Sequence, residues 1–83
     1  MPAWTVLYED ALTEWETRRR PPAELLVAVL EWLLDMVDSG PPAEHLPVPL
    51  EEDLYVSPVG DTGVFVTYLA LGYERRAVIR RID

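Results

Sequence analysis

Residues Ala23 to Val37 carry a helical pattern that is apolar around most of its circumference, and this segment limits what the chain can become. Glu24, Ala28, Glu31, Asp35 and Asp38 recur at spacings of four, three, four and three, which confines them to one narrow stripe. Leu25, Leu26, Val27, Val29, Leu30, Trp32, Leu33, Leu34, Met36 and Val37 cover the remaining surface. Pro21-Pro22 breaks any helix arriving from upstream, and Ser39-Gly40-Pro41-Pro42 supplies the stop. One sheet face does not cover so broad an apolar surface. A second element must pack on it, either an upstream helix or another chain, so a homodimer through helix 23–37 stands beside in-chain packing.

The flanking sequence supplies both a sheet and an upstream helix. Trp4-Thr5-Val6-Leu7-Tyr8 predicts a short strand. Asp10 is placed to cap a helix over Ala11 to Arg19, with Leu12 and Trp15 inward. Arg18 to Arg20 then fall where cations complement the helix dipole, an explanation at least as good as a binding role. Four prolines between Pro41 and Leu50 predict a stiff extended connector. Leu54 to Ser57, a turn through Val59-Gly60-Asp61-Thr62-Gly63, and Val64 to Leu71 read as a hairpin. Leu71-Gly72-Tyr73-Glu74 turns the chain into a last strand from Arg75 to Ile82. The expected fold is α+β: strand, helix, helix and three strands, with both helices on one face of a mostly antiparallel sheet. One domain is expected over residues 1–83.

Apolar residues make up 49% of the chain, too many for a disordered segment. There is no cysteine, hence no disulfide or thiolate metal site, which suits a cytoplasmic protein. The amino terminus lacks a secretory signal pattern, and the longest apolar run is far shorter than the roughly 20 residues a bilayer requires. No membrane association is expected. His45 has no companions for a metal or catalytic site, and Glu51-Glu52-Asp53 reads as a solvated turn. No phosphate-binding glycine loop, dinucleotide fingerprint or nucleophile elbow occurs, so no cofactor and no metal are expected.

Charge is unevenly placed. The chain has 15 acids against seven arginines, for a net charge of −8, which opposes general nucleic-acid binding. Yet four of those arginines, Arg75, Arg76, Arg80 and Arg81, fall in the last nine residues. That positive patch is a candidate docking site for an anionic partner. Strict alternation puts Arg76 and Arg80 on one side of the strand and Arg75 and Arg81 on the other. Phe65, Thr67 and Leu69 share one side of the preceding strand and would border one of these pairs.

The order of elements, the phrase Tyr8-Glu9-Asp10-Ala11-Leu12-Thr13-Glu14-Trp15 and the hairpin from Leu54-Tyr55 through Gly63 to Tyr68 resemble the RelE/ParE superfamily, the small toxins of type II toxin–antitoxin systems. Ala-Leu-x-Glu-Trp is especially similar to the RelE branch. The resemblance covers nearly the whole chain. It implies an antitoxin partner and, as target, either mRNA on the ribosome or DNA gyrase. Cleaving relatives are basic and use cationic side chains on the open sheet face and a basic C-terminal tail.

This chain departs from that pattern. Its second strand reads Val56-Ser57-Pro58 where basic residues are expected, Phe65 stands where cleaving relatives have arginine, and the sequence stops at Asp83 without such a tail. Arg80 and Arg81 alone lie near the superfamily's last-strand basic position. Arginine clamps phosphate but stays charged at neutral pH and is a poor proton-transfer group. Tyr68 and Tyr73 are the remaining candidates for proton transfer. The function expected first is a toxin-family protein that acts by binding an antitoxin and a cellular target, with Arg76, Arg80, Arg81, Phe65 and Leu69 at the docking surface. A non-toxic structural or regulatory protein of the same fold is one alternative. An active ribosome-dependent mRNA endonuclease with an altered site is another, and whether the chain is an enzyme stays open.

Overall fold

The structure, a computed structural model, describes residues 3–83. In chain order the elements are β1 (Thr5–Leu7), α1 (Glu9–Arg19), α2 (Ala23–Ser39), β2 (Leu46–Pro47), β3 (Leu54–Pro58), β4 (Phe65–Leu71) and β5 (Arg76–Ile82). They form one five-stranded sheet in the order β1-β5-β4-β3-β2, with β1 parallel to β5 and every other pair antiparallel. The expected α+β arrangement is present, with two differences. The proline-rich connector contributes a strand of its own, in which Leu46 and Pro47 pair with Val56 and Tyr55. Proline is tolerated there because β2 is the outermost strand. Asp10 does not cap α1. The helix already begins at Glu9, and both acids sit in its first turn, where the dipole favours negative charge.

Both helices cover the same sheet face. Val6, Val66, Tyr68, Ala77, Ile79 and Ile82 point inward from the strands and meet Ala11 and Trp15 of α1 and Val29, Leu33 and Met36 of α2. The spacing of the last three places them on one side of the helix. Leu25, Leu26, Trp32 and Val37 pack around this core, so most of the apolar surplus in α2 is absorbed within the chain. Val27 and Leu34 remain about half exposed, flanked by exposed Glu24, Glu31, Asp35 and Asp38. α2 ends at Gly40, whose φ of 80° and close contact with Trp4 both demand glycine. A Cβ there would lie 2.5 Å from the indole nitrogen.

The core contains one polar pair. Ser57 Oγ and Tyr68 Oη lie 2.7 Å apart, and both residues are fully buried. Burial lifts the Tyr68 phenol above its ordinary value, with the Ser57 hydrogen bond opposing the shift. Tyr68→Phe leaves Ser57 without its partner and is expected to cost about 1–3 kcal/mol. Denaturant unfolding should show the Ser57→Ala/Tyr68→Phe pair losing less than the two single variants summed. Strict additivity would mean that the two hydroxyls do not depend on each other.

Candidate functional site

The opposite sheet face carries no helix. Residues paired across strands share a face, so the registers define its rows. Leu7, Val78, Leu69 and Leu54 form one row across four strands. Arg81, Thr67, Val56 and Leu46 form a second. Thr5, Arg76 and Leu71 lie at one end, and Phe65 with Pro58 at the other. At the usual strand separation the first row spans about 14 Å. None of these side chains belongs to the core cluster, and Leu7, Leu46 and Phe65 are among the most exposed large apolar residues. Apolar surface rimmed by charged groups in this way is the kind that marks interaction sites.

A β-bulge decides where the arginines go. Tyr68 pairs with Ile79 and Thr67 with Arg81, so Arg80 is an extra residue in β5. Burial changes parity at that point: Ala77 and Ile79 are inward before it, and Ile82 after it. The expected alternation is therefore corrected. Arg81 joins Arg76 on the open face, beside Thr67 and Leu71 respectively, and Arg80 is exposed next to Arg81. Arg75 is not in the strand at all; it occupies the preceding turn with φ of 48°.

Of the candidate residues, Phe65, Leu69, Arg76 and Arg81 come together on this face, with Arg80 at its end. Leu7, Leu54, Val56, Pro58 and Val78 belong with them and escaped the sequence reading. Alternation within one strand shows a side chain's face but not its neighbours across the ladder.

The arginines differ in their partners. Arg81 Nε donates to Asp83 Oδ2 at 2.6 Å, and Arg76 lies 3.8 Å from Glu74. Among the described residues Arg80 has no carboxylate within ion-pair distance. Asp83 also accepts from Arg18 Nη1 at 2.9 Å and lies 3.4 Å from Arg19 Nη2. Hydrogen bonds from Arg81 first and Arg18 next hold its carboxyl far below the usual carboxylate range. The Asp83 contribution to stability is complete above roughly pH 4 and is lost as the pH falls from there through the depressed folded value.

The face has little equipment for proton transfer. Tyr68 points into the core, Tyr73 stands fully exposed in the turn before β5, and the only polar groups among the paired rows are arginines and threonine hydroxyls. Among the described residues no three His, Asp or Glu side chains gather as a metal site. No described helix is long and apolar enough to cross a membrane.

No protein-family model matches the sequence, and no curated protein matches it. A solved structure does match in three dimensions: an arginine-to-alanine double mutant of the E. coli toxin RelE in the free state. The two superpose with a TM-score of 0.64 over 100% of this chain and 83% of the other, at 15% sequence identity. The chain has a RelE-like fold. This agrees with the resemblance carried by the Ala11-Leu12-Thr13-Glu14-Trp15 phrase and the β3–β4 hairpin. At this identity the RelE-like likeness is one of architecture.

Proposed function

We propose that this RelE-like chain acts by binding, as a toxin-family protein whose open sheet face docks an antitoxin and, in its absence, a cellular target. The observation that carries this is the chemistry of the face itself: a four-strand aliphatic row, Leu7-Val78-Leu69-Leu54, flanked along β5 by Arg76 on one side and by Arg80 and Arg81 on the other. Apolar centres with arginine borders are characteristic of protein-binding hot spots. Strand separation is close to the rise of one helical turn, so an amphipathic helix laid across the strands would seat one apolar residue per strand. Its acidic residues would meet the arginines. Dimerisation through α2 has less support, because Val27 and Leu34 lie among Glu24, Glu31, Asp35 and Asp38, which would repel their counterparts in a second copy.

Messenger RNA cleavage is the weaker alternative, since the arginines present on the face can hold a phosphate but cannot relay a proton. Co-expression with the product of an adjacent small reading frame tests the binding function. A stable complex is expected, formed through the open face. If the two products stay apart, and induction of this chain alone leaves bacterial growth unchanged, the toxin-family function is wrong and a structural or regulatory role remains. If induction instead fragments translated messages, and Arg80→Ala or Arg81→Ala prevents this, the chain is a nuclease.

A further inference from the structure

Three guanidiniums from two distant parts of the chain converge on one carboxylate. Arg18 and Arg19 come from the last turn of α1, Arg81 comes from the end of β5, and all three reach Asp83. We propose that Arg18, Arg19 and Arg81 form a binding site for a phosphate monoester, which the chain's own Asp83 carboxylate occupies in the free protein.

Arg18 is held in place without Asp83. Its Nε donates to Glu14 Oε1 at 2.7 Å and its Nη2 to the Ile82 carbonyl at 2.9 Å, leaving Nη1 aimed at the anion. Arg18 thus keeps its position when the Asp83 side chain leaves, and Arg19 and Arg81, which pair only with Asp83, are freed to turn to another anion. Charge selects the ligand. Three guanidiniums face two side-chain carboxylates, Glu14 and Asp83, which leaves one positive charge uncompensated and favours a dianion over the single charge of Asp83. A phosphate monoester carries nearly two negative charges at neutral pH and three acceptor oxygens, one for each arginine. A phosphodiester carries one charge and gains nothing over Asp83. Because the α1 C-terminus presents carbonyls rather than amides, side chains must supply all the binding.

The ester's organic part also has a place. A crevice of about 350 Å³ adjoins the cluster, with Trp15, Pro21, Leu25 and Val64 in its walls and Arg19 and Asp83 lining it as well. Its apolar walls favour an aromatic or nucleoside body over free phosphate. Asp83 is an exposed competitor, and contacts of that kind are weak enough for a dianion to displace.

The test is a titration of the whole chain, followed by amide shifts of Thr62, Gly63 and Val64 beside the crevice. The probes are phenyl phosphate, adenosine 5′-monophosphate, inorganic phosphate and an oligothymidine without terminal phosphate. Phenyl phosphate or the mononucleotide should bind Asp83→Asn about tenfold more tightly than the unaltered chain, the order expected on removing one exposed competitor. Adding Arg18→Gln to that variant should abolish the gain. Preference for phenyl phosphate supports a phosphorylated side chain as the source, and preference for the mononucleotide supports a nucleotide. Equal binding to Asp83→Asn and the unaltered chain, or oligothymidine binding as well as either monoester, overturns the proposal. Should Asp83→Asn fail to fold, Arg19→Gln in the unaltered chain must weaken binding of the preferred monoester, and unchanged affinity overturns it equally. None of these outcomes depends on whether the open sheet face binds a protein.

Discussion

Trp15→Ala is expected to remove a large part of the stability of this fold. The side chain is 2% exposed and is the largest of the fully buried residues, set where α1 meets the inner sheet face and α2. Truncating a buried tryptophan typically costs about 3–5 kcal/mol, part lost transfer energy and part cavity. A chain of this length has a total stability of only roughly 4–12 kcal/mol. The melting temperature should therefore fall by about 15 °C or more, read from far-ultraviolet circular dichroism. The physical reason is geometric. α1 contributes only Ala11 and Trp15 to the fully buried set, so no other large side chain on that helix compensates. A loss below about 1 kcal/mol would show that α1 is not what closes the core on that side.

Leu69→Glu combined with Val78→Glu is expected to do the opposite, leaving the fold intact and abolishing partner binding. Leu69 and Val78 are paired at the centre of the open face, partly exposed, and absent from the core cluster. Their replacement should move the melting temperature by only a few degrees. Two carboxylates at the middle of an apolar interface must be desolvated on binding and would also repel an acidic partner. Central hot-spot positions are worth at least about 2 kcal/mol each, so affinity for the proposed antitoxin should fall by a factor of several hundred or more. Calorimetry of the purified pair gives this number. Binding within threefold of the unaltered chain would place the docking surface elsewhere, with the α2 stripe carrying Val27 and Leu34 as the next surface to test.

Much of the scaffold was legible because its signals are local. The α2 segment carries its own periodicity and its own proline and glycine stops, and it runs from Ala23 to Ser39 as a single helix. The Val59–Gly63 turn and the alternation from Val64 to Leu71 likewise produce the β3–β4 hairpin. Phe65 and Leu69 could be placed on one face from that alternation alone. The arginine positions could not, because alternation assumes a regular ladder and Arg80 interrupts it. Arg18 and Arg19 were explained by the helix dipole, a local cause. Their approach to Asp83, 65 and 64 residues away, leaves no local trace.

The amino-acid sequence by itself determined the helices, the hairpin, the inward side of α1 at Trp15 and the gathering of cations near the last strand. These follow from periodicity, turn chemistry and side-chain hydrophobicity within a few residues of each position. Only the tertiary structure decided that β1 lies parallel to β5, that a bulge turns Arg81 to the side of Arg76, and that Leu7, Val78, Leu69 and Leu54 line up as one row. It also decided that Asp83 closes on three arginines. Strand register and long-range ion pairs are chosen by how the core closes, and that choice depends on all the packed elements at once.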